Sequence, residues 1–265
     1  MIYSLIFFFT YSLNLFAEDR CSTFDDPAWK LSWHDEFNST KLDLSKWEIT
    51  RALTNFNSEL QVYSGRYKNI FIEDGVLHLK AHKERNYFGR EYSSGRIETY
   101  PKQAFLYGRF EFCAKLPKGR GYWPAAWMMP ETSEYGHWPM SGEIDIVENI
   151  GHVSESNWGT IHYGLPWPHN QMTGATYTLS GSDFSEDFHS FALEWEPEVM
   201  RWYVDGNLYS VKTPADLGGH RWVFDKPFYI ILNLAVGGLW PGYPDEETAF
   251  PQSFQVDYVR VYSRQ

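Results

Sequence analysis

Three carboxylates in one short segment, Glu143, Asp145 and Glu148, have the types and spacing to do chemistry. They alternate with isoleucine and valine, and this period of two predicts a β-strand. Successive side chains of a strand point to opposite faces, so Glu143 and Asp145 share one face. In a regular strand Glu148 would point to the opposite face. One extra residue, a β-bulge around Ile146 and Val147, would return Glu148 to that face. The segment therefore predicts a bulged strand with three carboxylates on one side.

Two of these carboxylates are spaced for the hydrolysis of a glycosidic bond. A bulged strand puts the Cα atoms of Glu143 and Glu148 about 13 Å apart at ~3.3 Å per residue, and side chains that lean together bring their carboxyl groups to about 5–6 Å. That separation is close to the ~5–5.5 Å of a retaining glycosidase and below the ~6.5–9.5 Å of an inverting one. Alternating acidic residues more often form only a solvated face. Nearby Trp123, Trp127 and Trp138 favour a sugar site, because aromatic rings pack against the C–H faces of pyranoses.

The composition narrows the class of ligand. Aromatic residues make up 18% of the chain, more than a core alone requires, so some of them are available to a ligand. The 265 residues include 23 basic and 34 acidic side chains, a net charge of −11, without a basic run or stripe. We therefore expect no nucleic-acid partner. An acidic surface suits a neutral polysaccharide and disfavours a strongly anionic one.

The chain is predicted to be all-β. Short runs with period-two alternation are separated by Gly, Pro, Asn and Asp, and no stretch predicts an amphipathic helix longer than a short turn. Asp74-Gly75 and Asp205-Gly206 lie between such runs and are typical of hairpin turns. No repeat, linker or low-complexity tract divides the chain. We expect one β-sandwich of two antiparallel sheets, with the carboxylates on a concave face that forms a cleft.

The first seventeen residues, MIYSLIFFFTYSLNLFA, are apolar and precede a charged segment. They predict a secretory signal peptide cleaved after Ala17, and hence a secreted, extracellular protein with no membrane contact after cleavage. The alternative is an uncleaved anchor, but the run is shorter than the ~20 residues of a spanning helix. Residues 18–265 would form the single domain that carries the carboxylates.

Two cysteines, Cys21 and Cys113, are the whole thiol content of the chain. In a secreted protein such a pair indicates one disulfide, which here would tie the N-terminal segment to the strand around Cys113. The alternative is one buried and one exposed thiol. Asn38 begins the single N-glycosylation sequon, Asn-Ser-Thr.

Ordered blocks from one end of the mature chain to the other resemble glycoside hydrolase family 16, in its laminarinase-like branch of endo-β-1,3-glucanases. The bulged E-x-D-x-x-E, unlike the shorter E-x-D-x-E of lichenases and xyloglucan transglycosylases, points within the family to laminarinases, agarases and carrageenases. The Trp-Pro-x-Ser-Gly before Glu143 and the Ala-Val-Gly-Gly-x-Trp-Pro-Gly loop favour the glucanase. The resemblance implies a jelly-roll sandwich of the concanavalin A-like type with a concave substrate cleft. The other blocks are residues 33–37, 93–97, 107–111, 159–163, 194–197, 202–206, 233–242 and 256–262.

The resemblance assigns a role to each carboxylate: Glu143 as the nucleophile, Glu148 as the general acid/base and Asp145 as their partner. Glu143 must be ionised to attack the anomeric carbon, whereas Glu148 must be protonated to donate to the leaving oxygen. Crowded carboxylates do not all ionise together, so we expect one to keep a proton at neutral pH and the three to titrate as a coupled set. The resemblance implies no cofactor for catalysis.

Several aromatic residues match substrate-contacting positions of the family. Trp138 and Trp123 correspond to residues that line the subsites next to the cleaved bond. Trp127 either lines the cleft or belongs to the core. Trp240 lies in a glycine-rich segment that resembles a loop at the cleft rim.

Polar contacts with substrate are implied at three further positions. His162 matches a residue on the leaving-group side, although a lone histidine in a strand is more often structural. Asn57 and Arg96 match residues that contact sugar hydroxyls, and Arg96 could equally be a structural ion-pair partner. The chain departs from the family where Asn55 and Phe56 replace a tryptophan-containing loop, so the glycone end and the preferred chain length are expected to differ.

Many relatives in the family bind a structural cation, expected to be Ca²⁺, far from the cleft. The matching positions here are Asp257 by its side chain and backbone oxygens near Glu36 and Gly75. A carboxylate and carbonyl oxygens suit such a hard cation. The alternative is that Asp257 only caps the end of a strand.

These residues together predict a secreted, monomeric, retaining endo-β-1,3-glucanase that acts on laminarin-like or mixed-linkage β-glucans. One alternative is a β-glucan-binding recognition protein without activity, although such relatives lose the acidic triad that this chain keeps. Another is hydrolysis of a different polysaccharide, such as agarose or carrageenan, or transglycosylation by the same site.

Overall fold

The structure is a computed structural model that describes residues 20–53, 56–85 and 89–265, so the predicted signal peptide and Asn55 lie outside the described residues. Almost all regular structure in this part of the chain is β-strand, as the alternating runs predict. The strands, in chain order, are β1 Trp29–Asp35, β2 Glu48–Ile49, β3 Ala52–Leu53, β4 Gln61–Tyr63, β5 Ile70–Glu73, β6 Val76–Lys83, β7 Tyr92–Ser94, β8 Arg96–Glu98, β9 Gly108–Lys115, β10 Tyr122–Pro130, β11 Glu143–Glu148, β12 Ser156–Gly164, β13 Asn170–Thr178, β14 His189–Glu196, β15 Val199–Val204, β16 Asn207–Lys212, β17 Phe228–Val236 and β18 Gln252–Arg264.

The strands form two sheets. The long sheet has eleven strands in the order β16-β15-β14-β9-β18-β6-β7-β4-β3, with β1 beside β18 and β5 beside β6. The short sheet has seven, in the order β13-β12-β11-β10-β17-β8-β2. Among the described strands the pairing is antiparallel except between β4 and β7, which are parallel. The predicted all-β sandwich is confirmed, and the parallel pair is the one departure from the expected pattern.

Large apolar side chains fill the space between the sheets. Trp195 and Trp202 from the long sheet are completely buried, and Ile144 and Ile146 from β11 of the short sheet belong to the same core. Burial of such a side chain contributes ~1.5–3 kcal/mol, so most of the aromatic content stabilises the sandwich. The indole Nε1 of Trp202 also donates a 2.8 Å hydrogen bond to the backbone oxygen of Asp145. The long sheet therefore helps to fix the strand that carries the carboxylates.

Both predicted hairpin turns are present. Asp74-Gly75 joins β5 to β6 with φ values of 51° and 73°, and Asp205-Gly206 joins β15 to β16 with φ values of 48° and 74°. Two consecutive positive φ angles are what a two-residue hairpin turn requires, and Asp-Gly supplies them at low cost.

In the part of the chain that the structure describes, helical structure is confined to two short 3-10 turns, Phe56–Ser58 and Pro214–Leu217. Neither of them, nor any other helix in the described ranges, has the length and apolar character that crossing a membrane requires.

The N-terminal segment is fastened to the long sheet by a disulfide between Cys21 and Cys113. Cys113 is completely buried on β9 and packs with Cys21, Tyr258 and Phe188 in a small apolar cluster. Of the two alternatives for the cysteine pair, the structure has the disulfide.

Candidate active site

β11 is an inner strand of the short sheet, and its register with β10 contains the predicted bulge. Trp127 is paired with Asp145, and the neighbouring Ala126 is paired with Val147, so Ile146 is the extra residue. Two residues of the bulged strand thus oppose one on its neighbour, which reverses the side-chain alternation beyond that point. The bulge returns the third carboxylate to the side of the first two, and all three line the same cavity.

The bulge is held by the side chain of Asn157 on β12. Its Oδ1 accepts a 3.1 Å hydrogen bond from the backbone N–H of Glu148, and its Nδ2 donates one of 3.1 Å to the backbone oxygen of Ile146. Nδ2 also lies 3.2 Å from the hydroxyl oxygen of Tyr209. Asn157 is completely buried. Sequence reasoning missed this residue; asparagine is depleted in strands, so its place in β12 is unusual.

The three carboxylates line a cavity of about 380 Å³ whose walls are largely aromatic. A cleft with apolar walls and a few converging polar groups is typical of a small-molecule or sugar site. The predicted residues Asn57, Arg96, Trp123, Trp127 and Trp138 all line this cavity. The other lining residues are Phe56, Glu59, Tyr63, Ala125, Met129, Tyr229, Asn233 and Ala235.

Two indole N–H groups hold the outer carboxylates. Trp138 Nε1 donates a 2.6 Å hydrogen bond to Glu143 Oε2, and Trp123 Nε1 donates one of 3.0 Å to Glu148 Oε1. An indole can only donate, so each bond fixes one carboxylate oxygen and leaves the other for chemistry. Both tryptophans therefore orient a carboxylate and also present a ring to the cavity.

His162 lies against the first two carboxylates. Its Nε2 is 3.3 Å from Asp145 Oδ2 and 3.7 Å from Glu143 Oε1. Burial lowers the pKa of His162, but its hydrogen bond to Asp145 and the surrounding negative charges outweigh this and raise the pKa to about 9. The imidazole is therefore a cation at neutral pH, and it offsets part of the negative charge of the site.

The carboxylates differ in how strongly they keep a proton. Burial, with the added charge of Asp145, raises the pKa of Glu143 to about 7. Burial and the charges of Asp145 and Glu143 raise the pKa of Glu148 well above its ordinary value. Glu143 consequently ionises first, and its charge helps to keep the proton on Glu148.

The ligand atoms of Glu143, Asp145 and His162 all lie within 4.8 Å of one another, and within the described ranges this is the group that could hold a metal ion. An imidazole and two carboxylates are acceptable ligands for several divalent metals. The same atoms form the acidic centre of the site, where Trp138 also donates a hydrogen bond to Glu143.

Trp127 and Arg96 lie on the floor of the cavity and stabilise each other. Trp127 Nε1 donates a 2.6 Å hydrogen bond to Asn233 Oδ1, and the Arg96 guanidinium lies 5.3 Å from the centre of a Trp127 ring. Arg96 also pairs with Glu98 at 3.1 Å. Trp127 therefore lines the cleft rather than only the core, and Arg96 is both an ion-pair partner and a cavity residue.

An aromatic cluster adjoins the cavity through Trp123. Trp240 does not itself line the cavity; it makes edge contacts with Trp123 and Trp158, with ring centroids 5.4 and 5.1 Å apart, and is 39% exposed. Asn57, in a 3-10 turn with a φ of 52°, lines the cavity next to Phe56, whose side chain is 77% exposed. Trp158 was not predicted, although it is another tryptophan close in sequence to the acidic motif.

The carboxylate assigned to calcium, that of Asp257, is paired with an arginine side chain. The guanidinium and backbone N–H of Arg20 both donate to the Asp257 carboxylate, and Arg260 donates to both oxygens of Glu36 at 2.9 and 2.7 Å. The carbonyl oxygen of Asp74, next to Gly75, also accepts from Arg20. With Arg20 in this place the residues do not fit a metal cation, because the carboxylate that would carry the site is already neutralised.

Comparison with known proteins gives the same assignment as the site. The model of glycosyl hydrolases family 16 matches residues 56–260. A β-glucanase of Rhodothermus marinus is 41% identical over 249 residues, which cover 89% of this chain and 86% of that protein. A glucan endo-1,3-β-glucosidase A1 of Niallia circulans is 42% identical over 269 residues, which cover 91% of this chain but 39% of that longer protein.

Solved structures extend the match to three dimensions. The laminarinase catalytic domain from Thermotoga maritima superposes with a TM-score of 0.82 at 41% identity, covering 89% of this chain and 99% of that one. Glycoside hydrolases of this family need no cofactor for catalysis. The family match spans most of the chain and includes β11 with its bulge, β12 with its histidine and the tryptophans of the cleft. By sequence, by fold and by the arrangement of its acidic centre, the chain belongs to glycosyl hydrolase family 16.

Proposed function

We propose that the protein is a secreted endo-β-1,3-glucanase that hydrolyses laminarin-like or mixed-linkage β-glucans with retention of configuration. The observation that carries the proposal is the bulged strand β11, where Glu143 and Glu148 are each held by an indole N–H in one cavity with Asp145 between them. The names of the relatives, glucan endo-1,3-β-glucosidase and laminarinase, support the substrate class.

In the first step the ionised Glu143 attacks the anomeric carbon of the sugar. The bond from that carbon to the bridging oxygen breaks, and Glu148 gives its proton to the departing oxygen. The products are a shortened glucan with a free hydroxyl and a glycosyl ester on Glu143. The order of the two pKa values supports these roles, because Glu143 ionises while Glu148 keeps its proton.

In the second step Glu148, now a carboxylate, takes a proton from water as the water oxygen bonds to the anomeric carbon. The ester bond to Glu143 breaks, which regenerates the ionised nucleophile and restores the proton on Glu148. Two displacements at one carbon retain its configuration. A sugar hydroxyl in place of water would give transglycosylation through the same intermediate.

Asp145 and His162 stabilise the charge of this centre. Asp145 lies within 3.3 Å of the protonated imidazole, which also lies 3.7 Å from the nucleophile. The imidazolium favours the ionised form of Glu143, and the fixed charge of Asp145 opposes simultaneous ionisation of its two neighbours.

The tryptophans supply sugar-binding surface on both sides of the reacting bond. Trp138 lies beside Glu143 and faces His162, with a centroid distance of 6.1 Å, whereas Trp123 lies beside Glu148 and contacts Trp240. A polysaccharide threaded along this cleft would be held on both sides of the bond that breaks, and such a cleft supports internal cleavage.

The remaining parts of the proposal concern location and partners. The apolar N-terminal segment supports cleavage after Ala17 and secretion, and a disulfide is consistent with an oxidising compartment. We propose that the mature protein acts as a monomer, with polysaccharide as its partner and without membrane or nucleic acid. The net charge of −11 supports the last point.

Product analysis tests the proposed activity directly. Purified protein is incubated with laminarin, lichenan, agarose and carrageenan, and the products are separated by size, while proton NMR follows the anomer that is released first. We expect a ladder of short oligosaccharides from laminarin with the β-anomer first. Release from agarose or carrageenan alone would overturn the substrate, and an α-anomer would overturn retention. Laminarin binding without products from any substrate would indicate a recognition protein.

Substitution of the two outer carboxylates tests their roles. We expect Glu143→Gln and Glu148→Gln each to lower kcat on laminarin at least about 10²-fold, because each removes a group that bonds to or protonates the reacting atoms. Laminarin affinity should change little. Glu134→Gln, at an exposed glutamate in the loop before β11, is the matched control and should keep full activity. Near-normal turnover in both active-site variants would rule out this assignment.

A further inference from the structure

Asp257 lies at an irregularity in β18, on the opposite sheet from the cleft. Where β18 pairs with β9, Val256 is opposite Ala114 and Tyr258 is opposite Cys113, so Asp257 is an extra residue. It is 8% exposed. A carboxylate buried to this degree is stable only when a cation or several hydrogen bonds neutralise it.

Arg20 supplies that cation. Its Nη1 pairs with Asp257 Oδ1, and its backbone N–H donates a 3.2 Å hydrogen bond to Oδ2. Its Nη2 donates a 3.0 Å hydrogen bond to the backbone oxygen of Asp74, in the turn between β5 and β6. One guanidinium therefore joins a carboxylate of β18 to a carbonyl of a neighbouring hairpin, and these are the two kinds of oxygen that a hard cation would bind.

The disulfide holds Arg20 close to Asp257. Cys21 is bonded to Cys113, which is paired with the residue that follows Asp257 on β18. The Arg20 guanidinium also lies 5.4 Å from the ring centre of Phe188, which packs on the disulfide. The neighbouring covalent bond thus restricts Arg20 to the immediate surroundings of Asp257.

We propose that Arg20 is a built-in replacement for the structural cation, so that the folded protein neither binds nor needs Ca²⁺ at this position. The guanidinium is a cation, and its fork of N–H donors bridges the carboxylate and the carbonyl as a bound ion would. The inference follows from the contacts of Arg20 and does not depend on the proposed activity.

The same geometry indicates what removal of Arg20 would leave behind. The Asp257 carboxylate and the Asp74 carbonyl would lose their donor while remaining close together. The side-chain oxygen of Asn38 approaches the same turn, 3.7 Å from the point that a Cβ on Gly75 would occupy. A carboxylate and a carbonyl oxygen are ligands that Ca²⁺ accepts with water completing its shell, whereas Mg²⁺ requires a stricter octahedron.

The test measures Tm and Ca²⁺ binding for the purified protein with its disulfide intact. Wild type should have the same Tm in excess Ca²⁺ and in excess EDTA and should give no binding heat. Arg20→Ala in EDTA should melt roughly 5–10 °C lower, because it leaves a buried carboxylate unpaired. Ca²⁺ should restore most of that loss, and Mg²⁺ much less. Arg20→Ala combined with Asp257→Asn should not respond to Ca²⁺.

Two further variants complete the design. Arg264→Ala removes a surface arginine that pairs with Glu196, and it should keep the wild-type Tm and remain insensitive to Ca²⁺. If Arg20→Ala does not fold, the pair Cys21→Ser and Cys113→Ser frees the segment without removing the arginine and should also become sensitive to Ca²⁺.

Three results would overturn the inference. The first is a wild-type Tm that falls when EDTA is added. The second is an Arg20→Ala protein as stable in EDTA as wild type, and the third is a destabilised Arg20→Ala protein that Ca²⁺ does not rescue.

Discussion

His162 contacts two of the three carboxylates, and this contact affects the pH at which the nucleophile ionises. The imidazolium is one of the groups that lower the pKa of Glu143 against the opposing effects of burial and Asp145. Activity requires ionised Glu143 and protonated Glu148, so kcat/KM should rise with pH through the first pKa and fall through the second. The free enzyme is therefore expected to give a bell-shaped profile with an acid limb near the Glu143 pKa of about 7.

His162→Gln keeps a polar side chain but removes the positive charge. The pKa of Glu143 should rise, and the acid limb of kcat/KM should move to higher pH. Below that limb, activity should fall roughly tenfold for each pH unit of the shift. His152→Gln, at an exposed histidine, serves as the control and should leave the profile in place. A uniform loss of rate at all pH values, without displacement of the limb, would mean that His162 acts only by contact with substrate.

At the scale of elements, the bulge in β11 depends on one side chain from its neighbour β12. Asn157→Ala leaves the N–H of Glu148 and the carbonyl of Ile146 without partners, and unmade buried hydrogen bonds cost ~1–3 kcal/mol each. We expect a stability loss of roughly 2–4 kcal/mol by urea denaturation. We also expect kcat to fall about 10–100-fold, because the acid/base is displaced from the reacting bond.

The matched control for this variant is Asn69→Ala, in the turn just before β5 of the long sheet. Asn69 is as deeply buried as Asn157, and its Nδ2 donates to the backbone oxygen of Lys80 and the hydroxyl of Ser93. We expect a comparable loss of stability without loss of kcat in the folded fraction. If both variants kept wild-type kcat, Asn157 would stabilise the sheet without positioning Glu148.

The sequence could predict the bulge but not what holds it. Alternation along β11 specifies the face of each residue, and bringing Glu148 to the face of Glu143 requires one extra residue. Local spacing alone therefore leads to a bulge around Ile146 and Val147, and the register of the strands identifies Ile146. Asn157 contributes from another strand, and its partner is a backbone group that no residue type identifies. In the same way, the family resemblance implied a cation at Asp257, whereas its actual partner Arg20 is 237 positions away. Contacts of this kind depend on how the strands are arranged in space.

At the scale of the whole molecule, the active site and the disulfide lie on different sheets. The carboxylates belong to the short sheet, whereas the disulfide joins the N-terminal segment to β9 in the long sheet. The resemblance and the alternating runs were enough to predict the sandwich, because both reflect one face of each strand buried against the other sheet. They could not predict the parallel pair β4–β7, since the turns between the strands carry no information about which non-adjacent strands meet.

This separation predicts that loss of the disulfide lowers stability without changing turnover. Cys21 and Cys113 are 92 positions apart, and in the chain-entropy model a loop of that size contributes about 4–5 kcal/mol to the free energy of unfolding. The variant with Cys21→Ser and Cys113→Ser should therefore melt roughly 10 °C lower than wild type, measured calorimetrically in excess EDTA. The part of the decrease in Tm that excess Ca²⁺ restores measures the effect of releasing Arg20 from Asp257. Well below its Tm the variant should hydrolyse laminarin with the wild-type kcat, because β11 and its neighbours are unchanged. A lower kcat in fully folded protein would show that the disulfide affects the active site on the opposite sheet.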